Sequence, residues 1–84
     1  MSEPSLQLFK VECRGGEGIT TFFVPAHSPD EAIIQAMTSA SQAQAQYPEV
    51  ADPFQEAGLE VRVGTYEAPG SSRIIFGDWT RLSN

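Results

Sequence analysis

The chain has 84 residues, which fits one small domain over residues 1–84. Its content of 40% hydrophobic and 19% charged residues is typical of a folded globular domain and argues against disorder. The sequence has no apolar run long enough to span a membrane, and we recognise no signal peptide, in which a charged segment precedes an apolar one. We therefore expect a cytoplasmic protein with no membrane contact. One cysteine, Cys13, and one histidine, His27, exclude an internal disulfide and fall short of a structural zinc site. We therefore expect no metal and no cofactor.

Two strands are predicted at the start of the chain, over residues 6–13 (LQLFKVEC) and 19–24 (ITTFFV). The glycine-rich segment RGGEG joins them. A phosphate-binding glycine loop leads from a strand into the start of a helix, whereas these glycines lead from strand to strand. The segment therefore predicts a tight hairpin, where glycine adopts positive φ angles without steric cost.

A helix over residues 29–47 is predicted next, with Ser28 as its N-cap, Pro29 at its first position and Glu31 completing a capping box. Pro48 ends it. Its apolar stripe is predicted to consist of Ile33, Ile34, Met37, Ala40 and Tyr47. The pair Asp52-Pro53 then predicts a short helical turn over about residues 53–57, which places Phe54 against the core.

The last part of the chain predicts a second hairpin, with strands over residues 59–67 and 73–82 and a turn over 68–72. Gly64 and Gly77 fall inside these strands, where a bulge or a close backbone approach is the usual meaning. The order ββαββ predicts an α+β fold in which one helix covers one face of a mainly antiparallel, four-stranded sheet.

Charge is distributed unevenly along the chain, whose formal net charge is -6. No Lys or Arg occurs between Gly15 and Val61, and seven carboxylates do. This argues against direct nucleic-acid binding and suits a protein partner with a basic surface. The alternative is that the acidity serves solubility. The acidic residues that we expect to bind a partner are Asp30, Glu31, Glu49, Asp52 and Glu56. The basic residues lie in or beside the strands, where acids can pair with them across the sheet.

The sheet face opposite the helix is a second candidate surface. Phe22 and Phe23 are adjacent in a strand and must point to opposite faces, so one of them, which we take to be Phe23, lies away from the helix. With Ile75 beside Ile74, and Trp79 near the end of the last strand, we expect an apolar patch on this face. Such an apolar patch commonly marks a partner-binding or homodimer surface. The alternative is that this patch is covered by the amino-terminal segment or by the aliphatic parts (stems) of long side chains.

Two sets of residues are candidates for a catalytic role. Cys13 and His27 are a nucleophile and a base, but the sequence offers no third group to orient them. Asp30 and Glu31 form a carboxylate pair that helix capping already explains. We expect no catalytic site, and the leading hypothesis is a non-enzymatic binding protein. A homo-oligomeric structural or assembly subunit is the alternative, and a small enzyme using Cys13 and His27 is the third hypothesis.

In its 84-residue length, its acidity and its hairpin followed by the capped helix AHSPDEAIIQAM, the chain resembles the small acidic proteins that phages encode against bacterial defence systems, such as anti-CRISPR inhibitors. The resemblance implies inhibition by occupying a surface, with carboxylates imitating nucleic-acid phosphate or blocking a subunit contact. It also implies action in the cytoplasm of a bacterial host. It assigns no individual site residue.

Overall fold

A computed structural model of the protein describes residues 6–16, 18–68 and 70–82. In these residues one α-helix lies on one face of an antiparallel sheet, with a 3₁₀ turn after the helix. The elements in chain order are β1 (Gln7–Gly15), β2 (Gly18–Ala26), α1 (Pro29–Gln46), the 3₁₀ turn (Pro53–Gln55), β3 (Glu60–Tyr66), β4 (Ile74–Phe76) and β5 (Thr80–Arg81). The predicted combination of one helix with an antiparallel sheet is confirmed. None of the described helices is long and apolar enough to cross a lipid bilayer.

The sheet order is β2-β1-β3, and β4 and β5 both pair with the outer side of β3. Gly15 pairs with Gly18, so β1 and β2 form a hairpin with a two-residue connection. Gly18 has a φ of +127°, a backbone conformation that side chains other than hydrogen strongly disfavour. The predicted hairpin is thus confirmed, although Glu17 lies outside the described residues.

The predicted strand 73–82 is wrong in one respect, because the structure divides it into β4 and β5. Phe76 pairs with Gly64 and Thr80 pairs with Val61, so three residues of the outer strand lie opposite two residues of β3. The extra residue forms a β-bulge, at which the backbone N–H of Gly77 donates to the carbonyl of Val63 at 3.0 Å. The sheet therefore has five strands, and Pro69 of the predicted turn lies outside the described residues.

The core lies between the sheet and α1. Alternate side chains of β1 point towards the helix and are buried, among them Phe9, Val11 and Cys13. Val24 and Val61 extend this core from the neighbouring strands. The helix packs mainly on β2 and to a lesser extent on β1 and β3.

The predicted apolar stripe of the helix is mostly wrong. Its buried residues are Ala32, Ala36 and Ala40, whereas Ile34 and Met37 are exposed. Tyr47, at the end of the predicted stripe, is exposed as well, and Ile33 packs at the edge of the core. Because an alanine row has little volume, the helix backbone can lie close to the large side chains of the sheet, which fill the core themselves.

Both predicted caps are present. The Ser28 hydroxyl accepts the backbone N–H of Glu31 at 3.2 Å, and α1 ends at Gln46 with Tyr47 as its C-cap. The Asp52 carboxylate accepts the backbone N–H of Phe54 at 2.9 Å. The second turn ends two residues earlier than predicted, because Glu56 has an extended backbone conformation.

Candidate protein-binding surfaces

The five predicted acidic residues fall into two groups at opposite ends of α1. Asp30 and Glu31 lie in its first turn, while Glu49, Asp52 and Glu56 follow its last turn. The helix has 18 residues, so at ~1.5 Å rise per residue the two groups are separated by roughly 27 Å. We call the first group the helix-start acids and the second the loop acids. The sequence placed them in one acidic half, whereas the fold divides that half into two sites.

Among the helix-start acids, Glu31 is engaged within the chain and Asp30 is exposed. Glu31 accepts the backbone N–H of His27 at 2.8 Å, and its carboxylate lies 3.0 Å from Nδ1 of the same residue. The backbone hydrogen bond from His27 lowers the pKa of Glu31, so this carboxylate is ionised over a wider pH range. The predicted capping box is therefore only half formed, because Glu31 bonds the backbone of His27, the residue before the N-cap, and not that of Ser28. This leaves Asp30 as the more accessible carboxylate of the pair.

Among the loop acids, Glu49 is exposed, Glu56 is half-buried and Asp52 is buried. Glu56 lies over Gly15, so close that a Cβ on Gly15 would collide with its carboxylate. Asp52 caps the 3₁₀ turn, and its carboxylate stabilises the loop through the hydrogen bond from the Phe54 backbone. Of the three, Glu49 and Glu56 offer a partner their carboxylates.

The sheet face opposite α1, which we call the open face, carries cations stacked on aromatic rings. The Arg14 guanidinium carbon lies 4.2 Å from the Trp79 ring centroid. That of Arg62 lies 4.0 Å from the Phe76 ring and 4.6 Å from the Trp79 ring. The ammonium group of Lys10 lies 5.8 Å from each of two rings, Phe23 and Phe76. These distances are within the range of cation–π attraction.

Carboxylates complete this cation–aromatic array. Glu12 is buried, with Arg62 Nε 2.6 Å from its Oε1 and Lys10 Nζ 3.7 Å from its Oε2. Glu60 binds Arg14 Nε at 2.9 Å. The predicted pairing of acids and bases across the sheet is therefore present. The same cations also stack on the aromatic rings, which the sequence pattern did not predict, although the alternation in β1 placed Lys10 and Glu12 on one face.

Phe23 and Trp79, the two predicted aromatic contact residues, differ in exposure. Phe23 is 56% exposed at the outer strand of the sheet. Trp79 is half-buried because Arg14 and Arg62 stack on its ring. Side-chain stems thus cover part of the open face, as one alternative expected. The amino-terminal segment Met1–Ser5, the other expected cover, lies outside the described residues.

The structure keeps Cys13 and His27 apart. Along the β1–β2 ladder, Cys13 pairs with Thr20, whereas His27 follows Ala26, which pairs with Gln7 at the opposite end. At ~3.4 Å per residue, the six-residue difference corresponds to roughly 20 Å. Burial raises the pKa of the Cys13 thiol to about 11, and the Asp52 carboxylate adds to this increase. These two residues therefore do not form a nucleophile–base pair.

Depressions on the described surface include a small pocket and a wider groove. A pocket of about 140 Å³ lies beside Cys13, Asp52 and Glu56, well below the ~300 Å³ at which ligand pockets begin. An open groove of about 770 Å³ runs between the start of β1 and the end of β3, and none of the predicted site residues lines it. In the described ranges, no group of three or more His, Cys, Asp or Glu side chains is placed to hold a metal ion.

No protein-family model matches this chain, and no curated protein or solved structure matches it either.

Proposed function

We propose that this chain is a non-enzymatic protein-binding module that contacts the basic surface of a nucleic-acid-handling complex and inhibits it by occupying that surface. On this proposal the protein acts in the cytoplasm. The observation that carries it is the separation of charge between the two sides of the molecule. Glu49, Glu56 and Asp30 have no Lys, Arg or His partner within 4.0 Å among the described residues. On the sheet side, by contrast, Glu12, Glu60 and Glu67 are each paired with Lys or Arg.

Unpaired carboxylates are suited to a cationic partner because they lose no internal ion pair on binding. A surface that normally binds nucleic-acid phosphates presents Lys and Arg side chains, which carboxylates can engage in the same way. The first contact should involve the loop acids, where Glu49 and Glu56 lie on one short connection. Charge complementarity of this kind accelerates association and excludes wrong partners.

The cations of the open face do not compensate for these acids. Lys10, Arg14 and Arg62 are held by Glu12, Glu60 and aromatic rings on the opposite side of the sheet. The acidic residues at the two ends of the helix and the basic residues of the open face are therefore exposed on different sides of the molecule. Among the described residues, none of the loop acids has a Lys, Arg or His partner within 4.0 Å, so their carboxylates can engage a cationic partner.

The experiment is a pull-down from the source cells with the full chain, followed by binding measurements on the recovered protein at increasing salt. We expect the double variant Glu49→Lys/Glu56→Lys to lose most of the captured partner. The matched control is Glu67→Lys/Asp78→Lys, which changes the net charge equally but lies on the sheet side of the molecule, and it should retain the partner.

A recovered partner should also lose bound nucleic acid when the wild-type chain is added. Because salt screens exposed charges, binding of the wild-type chain should weaken as ionic strength rises. Salt-insensitive capture that survives the loop-acid double variant contradicts the proposal. So does a partner that binds nucleic acid and this chain together without competition.

A further inference from the structure

The two outer edges of the sheet differ in how they are protected. The edge formed by β4 and β5 consists of strands of three and two residues, separated by a bulge, with Asp78 in the bulge and Arg81 beside it. Short strands, bulges and charges are the features by which proteins prevent unwanted strand pairing. The other edge is β2, which has nine residues and none of these features over most of its length.

No charged residue occurs in Gly18–Ala26, whose sequence is GITTFFVPA. Two of its large side chains are prominently exposed, Ile19 at 61% and Phe23 at 56%. A long, uncharged, partly apolar edge strand is a template for another strand. Pro25, near its end, is the one residue of this strand that blocks further pairing.

The ladder registers show which backbone groups of β2 point outward. The carbonyl of Val63 accepts a bond from Gly77 on the β4 side, so its neighbours in β3, Arg62 and Gly64, must direct their backbone groups towards β1. Backbone groups alternate sides in the same way along β1 and β2. In the β1–β2 register, the backbone groups of Thr20 and Phe22 therefore point towards β1. Those of the alternate residues, Ile19, Thr21 and Phe23, point away from the sheet.

These outward groups have no backbone partner outside the sheet among the residues that the structure describes. They are spaced so that β2 is complementary to itself. When a second β2 runs antiparallel with Thr21 opposite Thr21 of the second copy, Ile19 falls opposite Phe23 of that copy. All three outward residues then exchange bonds, for a total of about six. If the register is shifted so that Thr21 lies opposite Phe23 of the second copy, Ile19 lies opposite Pro25, which has no N–H to donate.

We propose that this protein forms a two-fold symmetric homodimer through antiparallel pairing of β2 with β2 of a second copy, centred on Thr21. The pairing joins the two sheets into one continuous sheet. It also places the exposed side chains of Ile19 and Phe23 against each other on the open face, where an aromatic and a β-branched residue form a favourable cross-strand pair. Because β2 carries no charge, two chains that are each acidic overall bring no like charges together at this contact. The dimer is independent of the partner binding proposed above.

Sedimentation equilibrium of the full chain over a concentration series tests the dimer. We expect a mass of twice 9.1 kDa at high concentration for the wild type. The variant Thr21→Lys places two ammonium groups beside each other at the centre of the contact and should raise the dimer dissociation constant by about tenfold or more. Thr38→Lys adds the same charge on an exposed position of α1 and should leave the dimer unchanged.

The register is tested separately with Thr21→Cys, treated with a short bifunctional thiol reagent. Because the native Cys13 is buried, the introduced thiol reacts alone, and covalent dimers should form with Thr21→Cys but not with Thr38→Cys. Circular dichroism verifies that each variant keeps the fold, which is expected because Thr21 is exposed and its backbone groups face outward. A wild-type chain that stays monomeric into the high micromolar range overturns the proposal, as does a dimer that Thr21→Lys leaves intact.

Discussion

Arg62 donates from Nε to Oε1 of Glu12 at 2.6 Å, on the face of the sheet opposite α1. Glu12 is buried although it lies on the open face, because Lys10 and Arg62 cover it from both sides. The same Arg62 stacks on two aromatic rings, so the ion pair and the stacking hold one guanidinium in place. This pair therefore links β1, β3 and the outer strands.

Removal of the Glu12 charge should destabilise the fold. We expect Glu12→Gln to lower the free energy of unfolding by about 1–3 kcal/mol, because Arg62 loses a charged hydrogen bond in a partly desolvated place. The matched control is Glu67→Gln, whose partner Arg73 is 79% exposed, and its cost should be below about 0.5 kcal/mol. Urea unfolding of both variants measures the difference. Equal costs for the two substitutions would contradict the role of Glu12.

Gly64 makes room for the side chains of β4. A Cβ at this position would lie 2.5 Å from Ile74 Cγ2 and 2.7 Å from a ring carbon of Phe76. The Phe76 ring cannot easily move away, since Lys10 and Arg62 both contact it. We expect Gly64→Ala to cost about 1–3 kcal/mol through overpacking.

The control for Gly64 is Gly16→Ala, because nothing lies within 4 Å of a Cβ at Gly16. Its effect on thermal unfolding should stay within about 0.5 kcal/mol of the wild type. A second readout is the intrinsic fluorescence of Trp79, which should change in Gly64→Ala if Phe76 and the stacked Arg62 shift. A Gly64→Ala variant as stable as Gly16→Ala would show that β4 adjusts without cost.

Because the Cys13 thiol is buried, the free energy of unfolding should change with pH in the alkaline range. Its folded pKa is about 11, raised from an ordinary value of 9.0, so the folded chain keeps a proton that the unfolded chain releases. The contribution is fully present below about pH 9 and is lost as the pH rises towards 11, with a total of about 3 kcal/mol. Urea unfolding between pH 8 and 11 measures the slope.

Other groups also titrate in this range, so the control for Cys13 is Cys13→Ala. This variant should be less stable at every pH because of the lost packing, but its stability should fall less steeply above pH 9 than that of the wild type. A disulfide-forming thiol reagent should label Cys13 of the wild type only after unfolding. Parallel pH curves for the two proteins, or rapid labelling of the folded chain, would contradict this account.

Local sequence signals were sufficient for β1, β2 and α1. The glycines between β1 and β2, the Ser28 cap and the period-two pattern of β1 act over a few residues, and each predicted its element to within one or two positions. The placement of Phe22 and Phe23 on opposite faces follows from the same alternation. These features depend on backbone geometry and on hydrogen bonds between residues that are close in sequence.

Tertiary packing decided the rest. The helix buries an alanine row in place of its larger side chains, because Phe9 and Val11 of the sheet already fill the core. The loop acids and the helix-start acids are separated by the length of α1, although the sequence showed one acidic segment. The stacking of Arg62 on Phe76 depends on strands that are distant in sequence, and the exposure of the β2 edge depends on the order of strands across the sheet. Contacts between distant residues arise only when the chain closes into its sheet, so no local pattern could specify them.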